Sequence, residues 1–327
     1  MDYHAEKARI EKRFDALWND VKTGRNFPKD KPLLAHYTTI TVLEKMFKDE
    51  ELWFSHPYHM NDLDELRFGL IEGAEAFRQD GELRTSCGSM ERYAMVQHLF
   101  AIAFEGFLEG AAFDTYVFCM SEHDPKNTDG LLSMWRGYGG NGLGAAIVFD
   151  TAQINNREDT PLTIAPVAYG SAEERRGWIR DRMAQFNALL REGYIVDEQL
   201  GIPTFTLFNR LRQFALFSKH CGFLEEKEWR AVYSIEQDVY GRLRDKLDYA
   251  IGRSGGLEPR LKFKMGPIKD ITAPDFGLEK VVKQIILGPS VATPLAVQTV
   301  RRMLHKVGKG GLVDRVVASS TPYRAAP

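Results

Sequence analysis

The sequence predicts an α+β protein, a single large domain with a mixed, mainly antiparallel central sheet flanked by helices. Short apolar runs typical of strands are interspersed with helical periodicities, without the regular strand–helix–strand repeat of a doubly wound sheet. A chain of 327 residues is also long enough to bury about three quarters of its unfolded surface. We therefore expect one domain over residues 31–327, preceded by a helical extension over residues 1–30.

The individual elements follow from the spacing of apolar residues and from the breakers between them. Residues 3–22 carry apolar side chains at helical spacing, and Gly24 and Pro28 then end the pattern. Further helices are expected at 40–50, 65–80, 90–109, 131–138, 171–192, 204–219 and 291–306. Strands are expected at 33–39, 52–55, 116–120, 145–149, 162–169, 229–234, 281–287 and 313–318. The charged segment 240–258 is predicted to be a surface excursion.

Composition excludes several classes of protein. The 43 Lys and Arg residues are balanced by 45 Asp and Glu residues, so the chain-wide basic surface of many nucleic-acid-binding domains is absent. Cys87, Cys119 and Cys221 are too few and too scattered for a disulfide framework or a thiolate zinc site. The charged N-terminal segment lacks the apolar stretch of a secretory leader, and no run is long enough to span a membrane. We expect a reduced, soluble, cytoplasmic protein.

The segment Gly137–Gly142 matches the G-x-G-x-x-G spacing of dinucleotide-binding loops. That mechanism needs a strand before the glycines and a helix N-terminus after them, which together hold the pyrophosphate. Here a predicted helix comes first and a predicted strand follows. The spacing therefore favours a helix stop and a turn with positive φ angles, and a flexible loop over a ligand is the alternative.

A dense polar patch begins at His56 and His59 and continues through Asn61, Asp62 and Glu65. His-x-x-His on a loop matches no established ligand spacing for a metal. A structured turn that leads into a helix at Glu65 is the favoured interpretation, and no metal is predicted. The alternative is a metal-dependent nuclease or phosphodiesterase that uses His56, His59, Asp62 and Glu65.

Two other places carry side chains suited to catalysis. His36 lies within an apolar strand, where a buried imidazole must find hydrogen-bond partners and can offer both a donor and an acceptor to a ligand. A satisfied core histidine is the alternative. Glu226, Glu228 and Arg230 share one side of a strand, so two carboxylates could share a pocket and polarise a sugar hydroxyl. An edge strand with a solvated, Arg-paired face is the alternative there.

Four ordered segments resemble a bacterial family known only as domain of unknown function 2971. The segments are His36-Tyr37-Thr38-Thr39 with Leu52-Trp53-Phe54-Ser55 and Asn61-Asp62-x-x-Glu65; Phe118-Cys119-Met120-Ser121 with Met134-Trp135-x-x-Tyr138, Gly144 and Phe149-Asp150; Lys219 with Glu226-x-Glu228-Trp229-Arg230; and Ile285-Ile286-Leu287-Gly288-Pro289 with Ser320-Thr321-Pro322-Tyr323-Arg324. They extend from about residue 33 to residue 324. The family has no assigned reaction, so this resemblance implies a fold more than a function.

A looser similarity links the chain to ADP-ribosyltransferases. In that family the first strand carries a His, a helix and a short strand follow, and a Glu on a later strand bonds the nicotinamide ribose. His36, the helix 40–50, the strand 52–55 and Glu228 occur in this order, and Glu226-x-Glu228 is similar to a paired-glutamate motif. The chain departs from the family at the middle motif, where only Phe54-Ser55 stands, and in the long distance to Glu228.

This similarity implies an ADP-ribosyltransferase-like core, with NAD as the substrate and a small-molecule nucleotide as the partner. His36 and Glu228 would be catalytic, His36 by holding a ribose hydroxyl and Glu228 by stabilising the oxocarbenium-like state as nicotinamide leaves. The residues implied to bind NAD are Tyr37, Thr38, Ser55, Tyr138 and Glu226, and Trp53 is a further candidate to stack on nicotinamide. The acceptor and the oligomeric state stay open. Such an activity would suit a toxin or a phage-defence protein.

A third hypothesis is an interaction protein without catalytic activity. The segment Trp135–Gly144 and the aromatic run Phe205–Phe217 would then form a partner groove. Function retained after Glu228→Gln and His36→Ala would favour this class over both enzymes.

Overall fold

A computed structural model of the chain describes residues 3–59, 63–154, 160–252 and 255–323. The α-helices are α1 (Tyr3–Phe14), α2 (Asn19–Thr23), α3 (Ile40–Asp49), α4 (Leu63–Gln79), α5 (Leu83–Cys87), α6 (Met90–Glu109), α7 (Leu132–Gly137), α8 (Ala172–Arg191), α9 (Gly201–Leu216), α10 (Leu278–Val281) and α11 (Pro294–Lys306). The strands are β1 (Leu33–Thr38), β2 (Glu51–Ser55), β3 (Thr115–His123), β4 (Ala145–Asp150), β5 (Leu162–Pro166), β6 (Ala168–Gly170), β7 (Ser218–His220), β8 (Glu228–Ser234), β9 (Leu247–Ile251), β10 (Leu257–Lys264), β11 (Val282–Leu287) and β12 (Val316–Ala318).

The contacts divide the chain into two units, each built from separate stretches of sequence. We call the first, which contains most of the helices, the helical unit; it comprises Met1–Asn26, Pro57–Asp114 and Val167–Phe223. We call the second the sheet unit; it comprises Phe27–His56, Thr115–Pro166 and Leu224–Pro327.

The sheet unit contains one sheet, which has ten strands among the described residues. Its main path runs β12-β11-β4-β1-β3-β2-β10-β9, and β8 joins β3 to β5. The pairing of β11 with β12 is parallel, and the other pairings of this sheet are antiparallel. The predicted α+β class and the mixed, mainly antiparallel sheet are thereby confirmed.

Side chains alternate between the two faces of this sheet because successive residues of a strand point to opposite sides. We call one side the core face: it carries Leu34, Phe118 and Ile147, and helices α3, α10 and α11 pack against it. We call the other side the opposite face. It carries Ala35 and Tyr37 and is covered at that place by helix α7, whose Met134 and Trp135 are buried.

Strand β3 contacts two different strands along one of its edges. Its C-terminal part pairs with β1 up to the pair Ala35 and Ser121, whereas Val117 pairs with Ser55 of β2. Strand β8 occupies the other edge of β3 along Thr115–Ser121. Strand β1 therefore leaves β3 after Ala35, and the next residue, His36, lies where the sheet splits.

The helical unit includes the segment that was predicted to be one N-terminal helix. Residues 3–22 instead form α1, a 3₁₀ turn over Asp15–Trp18 and α2. Phe14 is fully buried and packs edge-on against Phe186, with ring centroids 5.7 Å apart. The N-terminal residues thus contribute to the core of this unit. Within the described residues, no helix has both the length and the apolar character that a membrane span requires.

The prediction for residues 240–258 was wrong in part, because these residues contain β9 and the start of β10. The segment does lie at the surface, since the side chains of Tyr249 and Ile251 are 60% and 71% exposed. Strand β9 pairs with β10 alone among the described strands. Along β9, Leu247, Tyr249 and Ile251 alternate with Asp248 and Ala250, a period-two pattern that the charged residues on either side of the strand obscured.

Candidate functional site

The opposite face of the sheet carries polar side chains where β3 and β8 pair. Ser121 pairs with Glu228 and Cys119 pairs with Arg230 in the register of the two strands. These four residues alternate with Met120 and Trp229, which belong to the core face. Glu228 and Arg230 are each only 5% exposed, so the register brings two charged side chains together in a largely dry place.

Glu228 and Arg230 form a two-point ion pair. The Arg230 Nε donates to Glu228 Oε1 at 2.8 Å, and Arg230 Nη2 donates to Glu228 Oε2 at 3.1 Å. Such bidentate pairs fix both oxygens of the carboxylate and are among the stronger hydrogen bonds in proteins. The Arg pairing in the edge-strand alternative is therefore confirmed, whereas the solvated face was wrong, because both side chains are only 5% exposed. The predicted edge position of the strand was wrong, because β8 lies between β3 and β5.

Glu226 is held by two contacts just before β8 begins. Its Oε1 accepts a hydrogen bond from the Tyr138 hydroxyl at 3.0 Å, and its backbone oxygen accepts one from Ser121 Oγ at 2.6 Å. Between the two glutamates, Lys227 has a φ of 43°, which is uncommon for a residue other than glycine. This left-handed residue ends the strand alternation, so Glu226 meets Tyr138 while Glu228 meets Arg230.

Tyr138 begins the glycine-rich turn, and the turn is internally bonded. Gly140, Asn141 and Gly142 have φ angles of 57°, 53° and 83°, which confirms the predicted positive-φ turn. The amide of Gly142 donates to the carbonyls of Trp135 and Gly139, that of Leu143 to Gly140, and that of Gly144 to Gly139. Because these amides are used within the turn, they do not form the donor cradle that a pyrophosphate needs.

Tyr37 supports the segment that carries Tyr138. Its hydroxyl accepts the backbone N–H of Leu131 at 2.9 Å, and its ring lies edge-on to Trp135 with centroids 4.8 Å apart. Burial raises the pKa of Tyr37 to about 12, and the hydrogen bond from Leu131 opposes that rise. Tyr37 is therefore a buried, neutral phenol, and its predicted contact with a nucleotide remains a prediction.

The C-terminal segment closes over the same loop. The Asp129 carboxylate accepts hydrogen bonds from the backbone N–H and the hydroxyl of Ser320 and from the hydroxyl of Ser319. These three hydrogen bonds lower the pKa of Asp129. Farther along, the Tyr323 hydroxyl donates to Asn141 Oδ1 in the glycine-rich turn. Arg324, the last residue of the fourth resemblance segment, lies outside the described residues. The segment therefore contributes anchoring contacts to the turn.

His36 lies on the core face, away from Glu228. Its ring stacks on Phe118 with centroids 4.4 Å apart, and Nδ1 lies 2.9 Å from the carbonyl oxygen of Cys119. Burial lowers the pKa of His36, while the bond to Cys119 opposes the shift, so the ring is neutral at pH 7. A carbonyl only accepts, so Nδ1 carries the proton and Nε2 keeps its lone pair.

The structure therefore does not bring the two predicted catalytic residues together. Glu228 pairs with Ser121, whose partner on β1 is Ala35, so Glu228 shares its face with Ala35. His36 is the next residue of β1, and strand alternation turns it to the other side. The buried Thr38 shares the core face with His36. A single pocket that contains His36 and Glu228 is thus not formed.

Ser55 lies on the opposite face, where a second ion pair reaches it. Its Oγ accepts from Arg260 Nη1, and Arg260 also donates to Glu258. Glu258-x-Arg260 repeats the spacing of Glu228-x-Arg230 on another strand of the same sheet. Sequence reasoning missed this pair and gave Ser121 no role, although the identical Glu-x-Arg spacing was a signal that could have been found.

The metal hypothesis depends on two histidines that differ in their surroundings. His56 is 2% exposed and its ring lies edge-on to Tyr116, with centroids 5.9 Å apart. His59 is exposed, and Asn61 and Asp62 lie outside the described residues. Among the residues that the structure describes, no group of three or more His, Cys, Asp or Glu side chains is arranged to hold a metal ion.

The segments of the interaction hypothesis contribute to cores. Trp135 is fully buried, and its Nε1 donates to the Asp129 carbonyl at 2.8 Å. In the aromatic run, Phe208 and Phe214 are buried within the helical unit, while Phe205 is 39% exposed. These contacts account for most of the apolar character that suggested a partner groove.

Comparison with known proteins supports one of the two resemblances in part. The family described as "Protein of unknown function (DUF2971)" has a model that matches residues 134–231, less than a third of the chain. This range contains Tyr138, Glu226, Glu228 and Arg230, so the polar side chains of the site fall within the similar part. No curated protein and no solved structure gives a significant match, so the looser similarity to ADP-ribosyltransferases gains no support from these comparisons.

Proposed function

We propose that the chain is an enzyme of ADP-ribosyltransferase type, which cleaves the bond between nicotinamide and ribose in NAD⁺ with Glu228 as the stabilising carboxylate. The observation that supports this proposal is the nearly dry carboxylate of Glu228, oriented by two hydrogen bonds from Arg230. Glu226 and the Tyr138 hydroxyl provide a second carboxylate and a phenol on the same side of the sheet.

A fixed carboxylate suits a reaction that develops positive charge on a sugar. In the proposed complex a carboxylate oxygen of Glu228 accepts the ribose hydroxyl, since each carboxylate oxygen can accept more than one hydrogen bond. Charge interactions are stronger in a poorly solvated place than in water, and a preset carboxylate costs no reorganisation when the cation forms. Glycosidases use carboxylates against the same kind of oxocarbenium state.

The bonds and charges of the proposed step balance. The bond between C1′ and the nicotinamide nitrogen breaks, and its electron pair leaves with nicotinamide, which becomes neutral. The ring oxygen of ribose then shares the positive charge with C1′, opposite Glu228. A water or an acceptor hydroxyl forms the new C1′–O bond, and its proton passes to the carboxylate of Glu226, which the hydrogen bond from Tyr138 orients.

His36 has no part in this proposal, because it lies on the core face. The predicted role of His36 as a ribose ligand depended on a shared pocket with Glu228. The carboxylates and Tyr138 carry the proposed reaction without it.

The test is release of nicotinamide from NAD⁺, followed by chromatography, for the wild type, Glu228→Gln and Glu258→Gln. Glu258 is the matched control, because it forms the same Glu-x-Arg pair with Arg260. We expect Glu228→Gln to lower kcat about 10²–10³-fold, as loss of a charge-stabilising group does in other enzymes. Glu258→Gln should stay within about threefold of the wild type at a temperature where both variants are folded.

Tyr138→Phe separates the orientation of Glu226 from the packing of the ring. We expect about a tenfold lower kcat with an unchanged KM, since the substitution keeps the ring and removes the hydroxyl that bonds Glu226. Tyr323→Phe is the control, because its hydroxyl bonds Asn141 instead. Absence of nicotinamide release and of NAD⁺ binding by the wild type would overturn the proposal, as would equal losses in Glu228→Gln and Glu258→Gln.

A further inference from the structure

The core face of the sheet encloses a cavity of about 100 Å³. Its walls include four phenylalanine and two methionine side chains on β2, β3, β4 and β10 and just after β10: Phe54, Phe118, Phe149, Phe263, Met120 and Met265. Every residue that lines it belongs to the sheet unit. For comparison, an apolar cavity of about 150 Å³ in another protein stays dry and binds benzene.

Among the described residues, the lining offers no charged side chain, and its side-chain hydroxyls belong to Thr151, Thr160 and Thr272. The Thr151 hydroxyl donates to the Pro32 carbonyl at 2.6 Å, and the Thr272 hydroxyl donates to the Gly266 carbonyl at 3.1 Å. The Thr160 Oγ accepts the backbone N–H of Leu162 at 3.4 Å. The main gain for a bound group is therefore the loss of contact between its apolar surface and water.

One wall of the cavity lies close to solvent. It is formed by Leu162 and Ile164 of β5, together with Phe27 and Ile154, and all four side chains are only half-buried. Strand β5 pairs with β8 alone among the described strands, so it forms an edge of the sheet. The opposite wall, with Phe118 and Phe263, is almost completely buried.

We infer that this cavity binds the unbranched alkyl chain of a small amphiphile, with the chain inside and the polar end at the β5 wall. Met120 and Met265 have unbranched, flexible side chains, so the cavity wall can adapt to the shape of a bound alkyl chain. The half-buried wall leaves a polar end in contact with water, which a fully enclosed site would not. The site lies on the core face, so this inference is independent of the reaction proposed for Glu228.

The inference predicts a dependence of affinity on chain length. The probes are 1-alkanols from butanol to decanol, titrated into the full chain by calorimetry. Each added methylene should lower Kd about fourfold, the factor that corresponds to 0.8 kcal/mol per buried CH₂. The gain should stop once the cavity is full. Because the titration contains no NAD⁺, its outcome does not depend on the nicotinamide assay.

Two variants change the cavity in opposite directions. Ala231 lines the cavity, so Ala231→Leu fills it and should weaken binding of the best alkanol at least tenfold. Leu162→Ala enlarges the space at the half-buried wall and should move the limit to a longer chain. Ala250→Leu on β9 adds the same atoms outside the lining and should bind as the wild type does.

Alkanol binding by the wild type and the two cavity variants decides whether the inference holds. Affinity that ignores chain length, or binding by a folded Ala231→Leu that equals the wild type, would overturn it. Tight binding of benzene without binding of the alkanols would also refute an alkyl ligand. If Ala231→Leu does not fold, an unmoved limit in Leu162→Ala refutes the inference and a limit shifted to longer chains supports it.

Discussion

The replacement Glu228→Gln tests how much of the ion pair on β8 is structural. It removes the negative charge that faces Arg230 and puts an amide NH₂ where one carboxylate oxygen accepted at 3.1 Å. Both residues are only 5% exposed, so the guanidinium cannot recover the lost interaction from bulk water. Removing one partner of a buried pair costs about 3–5 kcal/mol in other proteins.

The amide oxygen of Gln can still accept one hydrogen bond from Arg230, which places the expected loss near the lower value, about 3 kcal/mol. A loss of this size lowers Tm by roughly 4 °C in a chain of 327 residues, because the entropy of unfolding is about 2.1 cal/mol/K per residue. Urea unfolding monitored by circular dichroism measures the change in the free energy of unfolding. A loss below about 0.5 kcal/mol would refute the argument, because it would mean that the pair is solvated.

Glu258→Gln is the control for stability as well as for activity. The side chains of Arg260 and Glu258 are 17% and 11% exposed, against 6% for both Arg230 and Glu228. Water screens this pair more, so we expect a smaller loss, about 1–2 kcal/mol. A larger loss in Glu258→Gln than in Glu228→Gln would contradict the assigned burial.

The double variant Glu228→Gln/Arg230→Gln separates structure from chemistry. Removing both charges avoids a buried guanidinium that faces an amide, so part of the lost stability should return. If Glu228 acts on the substrate, nicotinamide release should stay as low in the restabilised protein as in Glu228→Gln. Recovery of activity together with stability would show that the pair only supports the fold.

Three further predictions concern the loop that carries Tyr138. In Gly144→Ala the new Cβ would lie 2.1 Å from the Thr38 carbonyl oxygen, so urea unfolding should show a free energy of unfolding lower by about 3 kcal/mol or more. Gly137→Ala is the control, because its new Cβ has no atom within 4 Å, and it should change the free energy of unfolding by about 1 kcal/mol or less. The pKa of Asp129 is lowered in the folded state, so its contribution to stability is present above its unfolded pKa of about 4 and is lost as pH falls through the folded value. Hydrogen exchange of the amides of 319–323, relative to intrinsic rates, should therefore speed up as the pH falls below about 4. Unchanged protection would contradict the contact between Asp129 and this segment. The pKa of Tyr37 is raised to about 12, so its contribution to stability is fully present below the unfolded pKa of about 10 and is lost as pH rises towards 12. Because Tyr37 stays neutral there, the ultraviolet titration curve of Tyr37→Phe should coincide with that of the wild type below about pH 11.

Local patterns in the sequence determined much of the fold of the sheet unit. Short apolar runs marked β1 and β8, and the period-two geometry of a strand correctly put Glu228 and Arg230 on one side of β8. The glycines of 137–142 indicated positive φ angles, which the structure has at Gly140 and Gly142. These properties depend on neighbouring residues along the chain, so the sequence contains them directly.

Which face of the sheet each side chain occupies was decided only by the tertiary structure. Alternation placed His36 and Tyr37 on different sides of β1, but the pairing of β1 with β3 and of β3 with β8 decided which of them shares a side with Glu228. The same pairing made β8 a central strand, and pairing with β10 alone among the described strands placed β9 at the edge. Strand pairing joins residues far apart in sequence, and its register depends on the burial of the whole sheet.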